Sequence, residues 1–247
     1  MIPREYIFKI GTELFKFRSY IPLGLIVLLF LGRGNFFRLY PAAADLVFQV
    51  SCFSVTVIGL LIRAFTVGHC RVGTSGRNTK GQYADSLNFD GLYSVVRNPL
   101  YLGNFFIILG ILFISQSYIV AVLGILLFFC FYFLIILTEE KYLLNKFQDE
   151  FRQYFNLTPV FIPNIRLWKR PAIRFNFKRF LAREKDTFFA AVAGFVVMVL
   201  FREYVLGGCS AFKSRWLIVF YSALAVWLVL QSIKKYLKDD DGIDHFA

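Results

Sequence analysis

Histidine is almost missing from this 247-residue chain: only His69 and His245 occur, and that scarcity excludes a histidine-built metal centre. The four cysteines, Cys52, Cys70, Cys130 and Cys209, show neither metal-ligand nor disulfide spacing. Two of them fall inside apolar runs, so they read as small apolar fillers, and no metal is expected. Charge is scarce as well. Charged residues make up 18% of the chain, where a soluble domain carries about a quarter. Acidic side chains are the rarer sign, 16 against 28 basic ones. Inside the apolar runs Arg63 is almost the only charge, which argues against an ion-transport pathway. No internal repeat is present.

What the chain does have is apolar surface. Hydrophobic residues make up 57% of it and aromatics 19%, and the mean hydropathy is +0.59, so it needs lipid as a solvent. Six segments meet the criterion of about 20 mostly apolar residues for a membrane span. They are Phe15–Leu31, Leu46–Val67, Pro99–Ser115, Tyr118–Thr138, Thr187–Phe201 and Trp216–Ser232. The first and fifth are short and call for tilt or an interfacial position. The expected fold is all-α, a polytopic transmembrane bundle of about six spans. Alternate loops hold 22 and 5 of the 28 lysines and arginines, which puts both termini in the cytoplasm by the positive-inside rule. The net charge of +12 points to anionic headgroups rather than nucleic acid, because the basic residues flank the spans. Ala42-Ala43-Ala44 follows Ile21–Leu31 too late for a signal cleavage site, with Arg33 and Arg38 between, so the first span is expected to be retained.

Gln116-Ser117 is the only break between the third and fourth runs, which predicts a tight helical hairpin. Pro99 suits the first turn of the third span and Asn98 its N-cap. Residues 71–88 are polar and glycine-containing, long enough to fold over a site. After the hairpin, apolar residues at 143, 144, 147 and 151 predict an amphipathic cytoplasmic helix, stopped by Pro159 and Pro163. Ile165–Lys185 interleaves basic and aromatic residues, a pattern for the membrane interface or for holding a phosphorylated headgroup. Residues 187–232 read as a separate pair of spans with few polar groups. Three parts result: 1–45, an N-terminal segment and first span; 46–165, a core of spans two to four; and 166–247, a basic interfacial segment and helical pair.

The hairpin should bring Gly91–Gly103 and the pair Glu139-Glu140 to one membrane surface. Each piece alone is ordinary. Arg-x-Pro can be a topological anchor, Glu-Glu a solvated helix face, and Tyr93 and Tyr101 interfacial belt residues. Joined on one side beside a glycine-containing loop, they form a candidate active site facing the cytoplasm. The ordered set is Gly91-Leu92-Tyr93, Arg97-Asn98-Pro99-Leu100-Tyr101-Leu102-Gly103, Glu139-Glu140, Tyr154, then Pro159 and Pro163. It resembles the integral-membrane methyltransferases that include isoprenylcysteine carboxyl methyltransferases and phospholipid methyltransferases. The resemblance covers roughly residues 46–165.

The resemblance implies S-adenosylmethionine as cofactor, in contact with Asn78, Leu87, Asn88, Tyr93, Asn98, Pro99, Leu100, Tyr101, Glu139 and Glu140. Carboxylates and aromatic faces suit its sulfonium and ammonium, and amides at the start of span three suit its carboxylate. Arg97, Glu140 and Arg63 are the candidate catalytic residues, and Arg63, Arg71, Arg77 and Arg97 the candidates for the acceptor. Two departures matter. Asn98 stands where the family has histidine and cannot titrate. Leu134–Thr138 offers no arginine to hold a prenylcysteine carboxylate. A phosphate acceptor needs no base and suits arginine forks. Gly73-Thr74-Ser75-Gly76-Arg77-Asn78-Thr79 looks like the bacterial branch that methylates the 1-phosphate of lipid A, which implies a multi-pass protein of the bacterial inner membrane. Phosphatidylethanolamine N-methylation and carboxyl methylation are the enzymatic alternatives. A nicotinamide-dependent membrane reductase and a non-catalytic membrane protein are the readings from other classes.

Overall fold

The computed structural model describes residues 4–17, 36, 41–71, 73–74, 84–207, 215–233 and 236. Its helices are α1 (Arg4–Phe17), α2 (Ala42–His69), α3 (Leu92–Val95), α4 (Pro99–Phe113), α5 (Tyr118–Leu157), α6 (Phe177–Gly207) and α7 (Trp216–Ser232), with a 3-10 turn at Ile165–Leu167. The architecture is all-helical among the described residues. Among the described residues, three stretches are long and apolar enough to cross a membrane: Ala44–His69, Tyr118–Leu157 and Phe177–Gly207. Helices α4 and α7 are apolar but shorter. Most of the expected first span, 15–31, lies outside the described residues.

Two helices run further than their apolar stretches suggest. The expected amphipathic helix does not start afresh after the acidic pair: α5 runs unbroken through Glu139-Glu140 to a kink at Gln148, and helical turns resume beyond it to Leu157. Nothing between Thr138 and Lys141 breaks a helix, so the chain keeps turning until Gln148, where φ 44 and ψ −114 leave helical geometry. Helix α6 begins at Phe177 rather than Thr187, because Asn176 caps it: its Oδ1 accepts from the Arg179 amide at 2.9 Å.

Helices α2 and α4 approach closely through glycine. A Cβ on Gly103 would lie 2.5 Å from Arg63 Cγ and 2.9 Å from the Gly59 carbonyl oxygen, so no side chain fits there. Small residues at a crossing are how helices associate where lipid removes the hydrophobic drive. The consequence for the site is direct: the stem of Arg63 lies across Gly103, in the second turn of α4. Leu112, Ile114, Ile135, Phe195, Met198 and Val199 fill the core beyond this crossing.

The α4–α5 turn closes as expected, with Gln116 at φ 53 and Ser117 Oγ accepting from the Val120 amide at 3.4 Å. Beside it lies a buried polar cluster that the sequence does not announce. Arg202 Nη2 and Nη1 meet Asp45 Oδ1 and Oδ2 at 2.8 and 3.1 Å, and Arg202 is fully buried. Gln116 Nε2 donates to Asp45 Oδ1 at 2.8 Å, Gln49 Nε2 to Asp45 Oδ2 at 3.0 Å, and Trp216 Nε1 to Gln49 Oε1 at 2.6 Å. The last two helices are therefore not a separate, apolar pair. Helix α6 is tied to α2 by the buried Arg202–Asp45 pair and α7 by the Trp216–Gln49 hydrogen bond.

The crossing makes one prediction. Gly103→Leu should cost about 1–3 kcal/mol of stability through overpacking, read as a lower thermal midpoint of the full chain in detergent micelles. An unchanged midpoint would mean that α2 and α4 are not this close.

Candidate active site

Pro99 opens α4 because its missing N–H costs nothing in the first turn. Asn98 stands at the N-cap position, but its side chain does not cap; Nδ2 donates to the Val160 carbonyl at 3.2 Å. The expected cap is displaced because the chain after α5 folds back over this bend. Arg97 N donates to Pro159 O at 2.8 Å, Asn164 N to Val95 O at 2.9 Å and Gly91 N to Lys169 O at 3.0 Å. Pro159 and Pro163 thus do more than end a helix: they lie where the chain returns to cover Gly91–Asn98. Gly91 sits at φ 57, ψ −137, a backbone conformation that strongly favours glycine.

The hairpin brings the arginine-bearing bend to the acidic pair. Arg97 Nε lies 2.9 Å from Glu140 Oε1, with both side chains nearly buried. The two atoms are not aligned as a hydrogen bond, so charge holds the pair. Arg97 Nη1 also donates to the Phe155 carbonyl at 2.5 Å, and its guanidinium lies 4.0 Å over the Phe155 ring. Tyr101 donates its hydroxyl to Glu139 Oε2 at 2.7 Å. Adjacent carboxylates on α5 therefore reach different partners, Glu140 the bend and Glu139 the helix behind it.

Tyr93 is held from behind, its carbonyl accepting from the Tyr154 hydroxyl at 2.8 Å. Burial pushes the Tyr93 hydroxyl well above its ordinary pKa. Cys70, Tyr154 and Glu139 push the same way, against the nearby charge of Arg63. This hydroxyl stays protonated across the physiological range.

Arg63 is not presented to an acceptor. Its Nε and Nη2 grip Glu184 Oε2 and Oε1 at 2.8 and 2.7 Å, and Nη1 donates to Asn104 Oδ1 at 2.7 Å. In this structure the Arg63 fork is closed on the Glu184 carboxylate. Asn104 Nδ2 donates to the Tyr132 hydroxyl at 3.0 Å, and the Tyr132 ring lies 4.9 Å from that of Tyr101. Asn104, Tyr132 and Glu184 were missed from sequence. The available signal was polarity inside apolar helices, where such groups must find partners.

The remaining candidates surround this centre. Asn88 is buried and builds the loop, its Oδ1 accepting from the Arg71 amide at 3.1 Å and its Nδ2 donating to Thr74 Oγ1 at 2.8 Å. Leu87 and Pro99 are buried, and Leu100 is half-buried. Arg71 is half-buried, with no side-chain ion pair among the described residues. Arg77 and Asn78 lie outside the described residues. An open cleft of about 510 Å³ borders the bend, lined by Arg97, Phe155, Pro159 and Ile162 among others.

These residues suit a cationic nucleoside cofactor. Tyr101 bonds Glu139 and packs on Tyr132, Tyr154 holds Tyr93, and Glu140 Oε1 is buried without an aligned hydrogen-bond donor.

Residues 53–150 match the family described as phospholipid methyltransferase. The cobalt-zinc-cadmium resistance protein CzcN of Cupriavidus metallidurans is 34% identical over 122 residues, 49% of this chain and 54% of that protein. The nickel-cobalt-cadmium resistance protein NccN of Alcaligenes xylosoxydans xylosoxydans is 33% identical over the same shares, 49% and 54%. The protein-S-isoprenylcysteine O-methyltransferase of Schizosaccharomyces pombe is 37% identical over 76 residues, 31% of this chain and 32% of that enzyme. The chain thus spans about half the length of the first two relatives and a third of the last. No solved structure matches it. The family match takes in Arg63, Arg97, Glu139 and Glu140 and stops short of α6.

The Arg97–Glu140 pair makes the prediction here. Arg97→Gln leaves a buried carboxylate without its counter-charge and should destabilise the full chain by about 3–5 kcal/mol in detergent unfolding. Adding Glu140→Gln should recover most of the loss. A double variant no more stable than Arg97→Gln would contradict the pairing.

Proposed function

We propose that this chain methylates a lipid of its own membrane, using S-adenosylmethionine, and that the acceptor is a lipid phosphate of the lipid A type. The observation that carries the reading is the meeting of Arg97 and Tyr101 with Glu140 and Glu139 at one end of the hairpin. The cofactor, when bound, supplies a methyl on a sulfonium that passes to an acceptor oxygen as the S–CH3 bond breaks, leaving S-adenosylhomocysteine.

The chain's own residues supply charge and position. Glu139, Glu140 and the rings of Tyr93 and Tyr101 would hold the cationic donor, with Leu87, Asn88, Asn98, Pro99 and Leu100 shaping the surroundings and Asn78 joining from the loop. A phosphate oxygen is anionic at neutral pH, so no residue has to remove a proton; this agrees with an asparagine at 98 and a Tyr93 hydroxyl that stays protonated. Positioning then supplies the rate. Arg71, Arg77 and the Nη2 of Arg97 would orient the phosphate, while Arg63 acts through Asn104. Exposed Arg166, Lys169, Arg170, Arg174 and Lys178 beside exposed Ile162, Ile165 and Phe177 suit a headgroup layer. In this reading about six spans cross the membrane, both termini and the site face the cytoplasm, and the membrane is the bacterial inner one. Methylation removes one negative charge from the lipid and weakens its attraction for cationic peptides.

The comparisons favour a second reading. The matched family is described by phospholipids, and the Schizosaccharomyces relative is named for isoprenylcysteine. A phosphatidylethanolamine ammonium would first have to lose a proton, and a prenylcysteine carboxylate would find no arginine in Leu134–Thr138.

Mass spectrometry of lipids from cells expressing the chain decides among them. The expected result is a phosphate-bearing lipid heavier by one CH2, reduced at least roughly tenfold in Glu140→Ala, the scale of losing one electrostatic contact at a reacting centre. A methylated amine or carboxyl lipid would move the acceptor to the second reading. No methylated lipid at all would contradict the function.

A further inference from the structure

The Arg63–Glu184 pair lies outside the constellation that suggested the site. Glu184 belongs to α6, beyond the family match, yet it is 4% exposed and holds Arg63 through two atoms at 2.8 and 2.7 Å. Arg63 sits where the α2–α4 crossing leaves room for its stem against Gly103, so its guanidinium is delivered to the start of α4. From there a continuous path runs inward. Arg63 Nη1 donates to Asn104 at 2.7 Å, Asn104 to Tyr132 at 3.0 Å, the Tyr132 ring packs on Tyr101 at 4.9 Å, and Tyr101 donates to Glu139 at 2.7 Å. The charges of Arg63 and Glu139 act in opposite directions on the Tyr93 hydroxyl.

A cationic arginine is an unfavourable neighbour for a cationic ligand. In a weakly screened interior, two like charges some 8–10 Å apart repel strongly enough to change affinity about tenfold at an effective dielectric near 20. A bidentate carboxylate on Arg63 removes most of that repulsion and fixes which nitrogen faces Asn104. We infer that Glu184 is a positioning residue of the site: by neutralising and aiming Arg63, it lets the interior around Glu139 and Tyr93 accept a positively charged ligand. The inference rests on the proposed use of S-adenosylmethionine and goes beyond it, because it assigns a role at the site to α6.

Charge supplies the test, since S-adenosylmethionine carries a net positive charge and S-adenosylhomocysteine none. Calorimetric titration of the full chain in detergent micelles with each ligand reads the preference between them. Glu184→Gln should weaken S-adenosylmethionine about tenfold and the homocysteine form less than about twofold. Arg63→Gln, which leaves Glu184 unneutralised, should shift the preference the opposite way, and Arg63→Gln/Glu184→Gln should return it near wild type. Glu184→Asp, which keeps the charge, should keep the preference. Equal weakening of both ligands, or shifts of the same sign in Glu184→Gln and Arg63→Gln, would reduce the pair to a structural tie and overturn the inference. If Glu184→Gln does not fold, the sign of the Arg63→Gln shift decides alone. Wild type that binds neither ligand would overturn the cofactor reading itself, a different result from a wild type that binds both with variants that do not discriminate.

Discussion

Charge buried in an apolar bundle has to be paired, and in this chain that requirement decides which helices meet. An ionised side chain in low dielectric costs several kcal/mol unless an opposite charge and hydrogen bonds surround it. Among the described residues, three buried or nearly buried pairs answer the demand: Arg202 with Asp45, Arg63 with Glu184 and Arg97 with Glu140. The first two bind α6 to α2 near its two ends. The third binds the bend before α4 to the extension of α5. Apolar packing would accept many registers of these helices, whereas the pairs accept very few.

The same pairs organise the candidate site. Arg97 and Arg63, the two arginines at its centre, each close on a carboxylate, Glu140 and Glu184. Glu139 is engaged by the neutral Tyr101 hydroxyl, and Tyr93 stands within the reach of both Glu139 and Arg63. Positive side chains offset by carboxylates, with tyrosine rings beside them, suit a sulfonium. Residues 159–171 fold back onto the bend and hold it through backbone hydrogen bonds, so the site has a wall made from the chain that follows α5.

What could be read from sequence was local. Gln116-Ser117 marks the hairpin and Pro99 the start of α4, and a hairpin returns the chain to the surface it left, which brings Arg97 and Tyr101 near Glu139 and Glu140. Trp216–Ser232 was legible as an apolar run between polar flanks. What could not be read was long-range. Apolar content marks where lipid touches a helix and not where the helix ends, so the turns of α6 before Thr187 do not show in the apolar pattern. Asn98 was assigned a cap that Val160 takes from it, a contact made across 62 residues of chain. The pairing of Arg63 with Glu184, 121 residues away, is not legible in the sequence, because it needs α6 in place.

Equilibrium binding of S-adenosylmethionine to the full chain in lipid nanodiscs tests the central claim most directly. The variant to compare is Glu139→Gln/Glu140→Gln, which keeps side-chain size and removes both charges. The account predicts saturable binding by the wild type and at least about a tenfold loss in the folded double variant. Undiminished binding by that variant would show that the cofactor does not lie between the bend and the two carboxylates.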